Sequence, residues 1–139
     1  MLEQIKNGEG LKKFTELLRQ QGGDIGIIED FSLLPLSPAV LSVKAEKNGY
    51  LTHMDTALIG RAAQETGAGR AYKEQPLDFG AGIVMKKRLG DAITAGEEMA
   101  VIHSQTEQKC QSAASYIQQA ITIGEKPEPL PPLILRIIS

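Results

Sequence analysis

Apolar side chains recur every three or four residues at the start of the chain: Leu2 and Ile5, then Leu11, Phe14, Leu17 and Leu18. That repeat marks one helical face, so the spacing predicts helix over 2–21, broken into two pieces at Gly8-Glu9-Gly10. Gln21-Gly22-Gly23-Asp24 is a strong stop, because glycine takes up the left-handed geometry that closes a helix. Asp24 can then cap a short turn through Ile27 and Ile28. Phe31 to Pro38 mixes two prolines and two serines with leucines, which predicts an extended linker packed on something. From Pro38 to Ala45 the period drops to two, Ala39, Leu41 and Val43 alternating with Val40, Ser42 and Lys44. A strand is expected there, then a tight turn at Lys47-Asn48-Gly49 and a partner strand over Tyr50-Leu51-Thr52-His53-Met54. Asp55 or Thr56 can cap the next helix, Ala57 to Glu65, whose apolar stripe is Leu58, Ile59, Ala62 and Ala63 and which stops at Gly67-Ala68-Gly69.

The stretch from Asp78 to His103 organises the second half. Two β-rich runs flank a turn at Leu89-Gly90-Asp91, and Gly96 leads into Met99-Ala100-Val101-Ile102, so a hairpin-rich β module is expected. Ser104-x-x-Glu107 has the form of a capping box and predicts a long helix from that point. Its apolar face is Cys110, Ala113, Ala114, Ile117, Ala120 and Ile121, and it ends before Gly124. Four prolines between Lys126 and Pro132 force an extended segment, and Leu133-Ile134-Leu135-Arg136-Ile137-Ile138 reads as a final strand. Helices, linker, two strands, helix, several strands, helix and strand together give an α+β class, not a repeated βαβ unit. There is a faint internal echo: Val43-x-Ala45-x-x-x-Gly49-Tyr50-Leu51 resembles the first half of a hybrid barrel, and Gly82 to Ile102 the second, with helix Ala57 to Glu65 inserted between them.

Composition narrows the picture. The chain has 139 residues, 42% of them apolar and 4% aromatic, so the core is aliphatic and one full domain is the default. Fifteen basic against seventeen acidic residues, with no basic run longer than Lys86-Lys87-Arg88, argue against nucleic-acid or membrane-surface partners. That triplet reads as a solvated hairpin. A lone cysteine, Cys110, most simply a core thiol, excludes an internal disulfide framework. No Cys/His cluster has zinc spacing, since the only histidines are His53 and His103. The first residues lack the basic start and apolar core of a secretory signal, and no apolar run approaches the roughly 20 residues needed to cross a bilayer. A soluble, cytoplasmic protein is the expectation.

Each candidate for chemistry has a plainer structural explanation. The glycine and aliphatic spacing of 90–102 is that of hybrid barrels carrying biotin or lipoate, but no lysine follows Ile102, where such a carrier needs one. Met85-Lys86-Lys87 superficially resembles a biotin-acceptor signature yet lies on the wrong side of the Gly90-Asp91 turn. Gly67-Ala68-Gly69-Arg70 could face a phosphate if it opened a helix; it closes one, where carbonyls are exposed. Gly80-Ala81-Gly82 reads as a bulge or close backbone approach, not a nucleotide loop. His53 and His103 stand at strand ends without a carboxylate and nucleophile beside them, and Asp91, Glu97 and Glu98 are explained by turn chemistry. No catalytic, cofactor-binding or metal-ligating residue is therefore assigned.

Phe14 through Gln21-Gly22-Gly23-Asp24, Val43-Lys44-Ala45 with Gly49-Tyr50, Gly60, Gly67-Ala68-Gly69-Arg70, Lys73-Glu74, Asp78, Gly82-Ile83, Gly90-Asp91, Gly96 and Ile102 together carry a resemblance. In that combination the chain resembles the C-terminal part of the pyrimidine-nucleoside phosphorylases, which include thymidine phosphorylase. The resemblance implies that 1–30 are terminal helices of a central α/β domain, 31–37 a linker and 38–139 a C-terminal α/β-hammerhead domain related to barrel-sandwich hybrids. It also implies a larger, homodimeric cytoplasmic pentosyltransferase in which phosphate, the co-substrate, displaces uracil or thymine from a nucleoside and leaves a pentose 1-phosphate. The family's phosphate loop, of Lys-His-Ser-Thr-Gly-Gly type, and its base-holding arginine, serine and lysine have no counterpart here, so no catalytic residue carries over. Loss of even one preorganised donor of this kind commonly costs ~3 kcal/mol of transition-state stabilisation, so this stretch by itself is expected to be inactive. A free-standing hammerhead interaction module is the alternative reading, and a biotin- or lipoate-type carrier a third.

Overall fold

The structure, a computed structural model, describes residues 2–130 together with Pro132, Ile134 and Arg136. The chain divides into two compact units, Met1–Pro35 and Leu36–Ser139.

In the first unit, helices α1 (Leu2–Lys6) and α2 (Glu9–Gln20) are separated by Gly8 at φ 79°, in agreement with the expected break. Past α2 the stop is a double one: Gly22 N donates to Arg19 O at 3.1 Å and Gly23 N to Leu18 O at 2.9 Å. Asp24 Oδ1 accepts from Gly26 N at 2.8 Å and opens a single 3-10 turn, Ile25–Ile28. Asp30 does the same through Ser32 N at 2.9 Å, so Phe31–Leu33 is a second 3-10 turn. The linker read as extended from Phe31 onward is therefore coiled over its first three residues, because the preceding aspartate supplies a cap. No described residue of this unit is buried.

The second unit contains β1 (Ala39–Lys44), β2 (Gly49–Met54), α3 (Thr56–Thr66), β3 (Gly82–Met85), β4 (Ala92–Ile93), β5 (Glu98–Ser104), α4 (Glu107–Ala120) and β6 (Ile121–Gly124). They form two antiparallel sheets, ordered β1-β5-β3 and β4-β2-β6. With helices and sheets thus segregated, the class is α+β. Odd-numbered strands lie in one sheet and even-numbered strands in the other. Neither expected hairpin forms, since β1 does not pair with β2, nor β3 with β4. The cause is visible in the turns. The chain just past β1 is fastened to the segment before β5, with Ala45 N donating to Glu97 O and Gly96 N to Ala45 O, both at 2.8 Å. Likewise the Leu89-Gly90-Asp91 turn is tied to β2, with Gly90 N donating to Leu51 O at 2.7 Å and Leu51 N to Asp91 O at 2.9 Å.

The ladder between β1 and β5 skips a residue: Val43 faces Ala100 and Lys44 faces Glu98, leaving Met99 as the extra residue of a bulge. That bulge lets two consecutive side chains, Met99 and Ala100, both be fully buried. Ala100 joins Val43, Ile102, Ala62, Cys110, Ala113 and Ile117 between the first sheet and the two helices. Met99 joins Ala45, Leu51 and Ile93 beneath the second sheet, with Met54, Ile121 and Ile123 around them. Each fully buried Leu, Ile or Met of this kind stabilises the fold by roughly 1.5–3 kcal/mol. Of the bulge or close backbone approach expected at Gly80-Ala81-Gly82, the bulge is not formed: Gly80 sits in a turn with its N–H donating to Asp78 Oδ1 at 3.0 Å, Gly82–Met85 pairs with β5 in unbroken register, and a Cβ on Gly82 would meet nothing within 4 Å.

Helix α3 follows the expectation closely, with Asp55 Oδ1 accepting from Ala57 N and Leu58 N and Gly67 closing it at φ 101°. Helix α4 departs from it at both ends. Ser104 is the last residue of β5 and not the cap; its buried hydroxyl donates to Thr66 O at 2.7 Å. Thr106 caps instead, accepting from Lys109 N at 3.3 Å. At the far end Ile121 leaves the helix for β6, which pairs with β2 from Met54↔Ile121 to Tyr50↔Gly124. This strand lies where helical spacing predicts the end of α4. The expected final strand over 133–138 falls outside the described residues, apart from Ile134 and Arg136. Among the described residues no helix is long and apolar enough to cross a membrane.

Candidate functional site

The residues singled out for chemistry are scattered by the fold. His53 lies on β2 in one sheet and His103 on β5 in the other. Each carboxylate beside a turn already has a structural partner: Asp91 Oδ2 accepts from Arg88 N at 2.8 Å, Glu97 Oε2 from Thr94 N at 3.0 Å, and Glu98 Oε1 from the Ser42 hydroxyl. Lys87 is not solvated as its triplet suggested, for its ammonium pairs with Glu97 Oε1 and its side chain is 19% exposed. That ion pair, reinforced by the Thr94 amide, holds the Glu97 carboxyl below the usual glutamate range.

In the glycine-rich turn after α3 the amides of Gly67 and Ala68 are engaged within the turn. Gly67 N donates to Gln64 O at 3.0 Å and Ala68 N to Thr66 Oγ1 at 3.3 Å, while Gln64 Nε2 donates to Arg70 O at 2.7 Å. Arg70 is exposed at the rim of a shallow depression shared with Gly60, Arg61 and Gln64. Cys110 is 1% exposed, with its thiol 3.7 Å from Ala39 O, and burial followed by the nearby Glu107 pushes its pKa up. Among the described residues, no group of three or more His, Cys, Asp or Glu is placed to hold a metal ion.

Sequence spacing missed one polar cluster altogether. The Ser37 hydroxyl donates to Asp78 Oδ2 at 2.8 Å across 41 positions, and Asp78 N donates to Gly67 O at 3.0 Å. Thr66 and Ser104, joined by the bond described above, lie next to it in the chain path. Partial burial pushes the Asp78 carboxyl up, but donation from Ser37 and Gly80, with Gln105 and Ala81 facing it, outweighs that and holds it below the usual aspartate range. Only tertiary structure brings 37 to 78, so no local signal could have found the pair.

The other notable surface is apolar. On α2, Leu11, Phe14 and Leu17 are 56%, 49% and 49% exposed, and Phe31 and Leu33 after it are 73% and 53% exposed. A helical stripe left this open is the usual mark of a surface that packs on another part of a protein.

A family model described as "Pyrimidine nucleoside phosphorylase C-terminal domain" matches residues 50–124, from the second residue of β2 to the end of β6. The chain is 36% identical over 140 residues to a pyrimidine-nucleoside phosphorylase of Geobacillus stearothermophilus. It is 37% and 35% identical over 139 residues to pyrimidine-nucleoside phosphorylases of Staphylococcus epidermidis and Staphylococcus aureus. All three alignments take in 100% of this chain but 32% of the relative, so the chain spans about a third of the length of the relatives it matches. Since the family model covers more than half of its residues, the chain belongs to the pyrimidine nucleoside phosphorylase C-terminal domain family.

Proposed function

We propose that this chain is the C-terminal accessory domain of a pyrimidine-nucleoside phosphorylase, supplying scaffold and not chemistry. The observation that carries the reading is the match of its whole length to only a third of each relative, combined with the open apolar stripe on α2. In the complete enzyme, inorganic phosphate attacks the pentose carbon of a uridine- or thymidine-type nucleoside as the base departs, leaving pentose 1-phosphate. The catalytic groups come from the preceding part of the polypeptide. Residues 38–139, as an α/β-hammerhead domain, pack on the central domain and support closure over substrate, while α1 and α2 complete that central domain. The complete enzyme works as a cytoplasmic homodimer, with phosphate as co-substrate and no cofactor held by this chain.

Two measurements test this. The purified 139-residue protein releases no uracil from uridine in a phosphate-dependent manner; release above a blank refutes the scaffold role. Mixed with a polypeptide comprising the preceding two domains of a pyrimidine-nucleoside phosphorylase, it forms a complex on size exclusion that Leu17→Lys abolishes. The open stripe also favours a second reading, a free-standing module that pairs with itself through α2. Monomeric sedimentation across the micromolar range rules that reading out.

A further inference from the structure

The connection between the two units is held on both sides. Leu34 N donates to Phe31 O at 3.1 Å, and the Leu34 backbone is extended at φ −73° and ψ 147°, as a following proline requires. Ser37 is 5% exposed and bonded to Asp78 Oδ2, and Pro38 biases its backbone to the extended region before β1 begins at Ala39. Between them lie only Pro35, whose ring fixes φ, and Leu36, which is 76% exposed. Asp78 is not a free carboxylate that happens to lie nearby. Its N–H is tied to the end of α3 through Gly67 O, its Oδ1 to Gly80 N, and its carbonyl accepts from Ala81 N at 3.2 Å.

We propose that Ser37 and Asp78 form a clamp that fixes where the leading segment joins the β unit and confines bending of the connection to Pro35 and Leu36. The clamp is a hydroxyl donating to an ionised carboxylate, a class of bond about twice as strong as a neutral one. Breaking it frees the Ser37 torsions and leaves a partly buried carboxylate one donor short. With the clamp closed, the connection is a pivot of about three soft torsions and not a flexible tether.

The test uses the full chain with Ser37→Ala, Asp78→Ala and, as a control in the neighbouring tight turn, Ser32→Ala. Backbone amide relaxation by NMR is expected to give position 37 the order of β1 and to confine disorder to Leu36. In S37A and D78A the amide at position 37 loses that order, and chymotryptic cleavage after Leu36 quickens by about tenfold, while the amides of β5 keep their exchange rates. S32A leaves cleavage unchanged. The clamp is refuted if Ser37 in the unaltered chain is as mobile as Leu36. Cleavage in S37A within about twofold of the unaltered chain, or a rise shared equally by β5 amides or by S32A, refutes it too.

Discussion

Gly49 and Gly60 carry opposite constraints. Gly49 sits at φ 155°, and a Cβ there would run into Gly124 O and come within 2.7 Å of Ile123 Cγ2. Gly49→Ala should therefore destabilise the β unit by about 3 kcal/mol in denaturant unfolding, since neither the conformation nor the backbone neighbour can give way. Gly60, inside α3, has nothing within 4 Å of its would-be Cβ. Gly60→Ala should raise stability by about 1 kcal/mol in the same assay. Cys110 gives a third expectation at this scale. Buried and held protonated, its thiol should react with a disulfide reagent only as fast as the unfolded fraction allows, so that modification rates track denaturant concentration. Its role as a core thiol was legible from helical spacing alone, whereas the Ser37 to Asp78 contact was not, because nothing local relates the two positions.

Among the elements, those whose start and stop signals are local were readable. Asp55 caps α3 through two amides at 2.9 and 3.1 Å, and Asp55→Ala should cost about 1 kcal/mol, seen as a lower denaturation midpoint with unchanged slope. Structure departs from local pattern where tertiary pairing decides. Ile121 continues the three- and four-residue spacing of α4, so periodicity alone carries the helix too far. Pairing with β2 draws Ile121–Gly124 into a sheet, and the β-branched run Ile121-Thr122-Ile123 was the available hint. Similarly, Ser104 matches a capping box by type and spacing, but its hydroxyl is taken by Thr66 O and Thr106 does the capping. Alternation identified β1 and β2 as strands without revealing that they belong to different sheets.

For the whole molecule, the two units should behave differently. No described residue of Met1–Pro35 is buried, so amides of α1 and α2 should exchange orders of magnitude faster than those of β5, measured by hydrogen exchange on the isolated chain. Acid should weaken the β unit. Asp78 and Glu97 have carboxyls lowered by their folded surroundings, so their contribution is fully present above the ordinary carboxylate range and is lost as pH falls through the lowered values. A thermal midpoint that is flat down to that range and drops below it, with a smaller drop in Asp78→Asn, is the expected profile.

The alternation of strands between two sheets also governs how this unit can form. Among the described strands none is paired with its chain neighbour, so they offer no local hairpin to nucleate on the microsecond scale. The β1 to β5 ladder joins Ala39 to Ser104, and β2 must wait for β6 beyond α4. Among the described ladders the shortest, β3 to β5, still spans β4, and the others close much longer loops before they gain anything, so folding should be slow and all-or-none for the unit's size, with α3 and α4 the described elements able to begin alone.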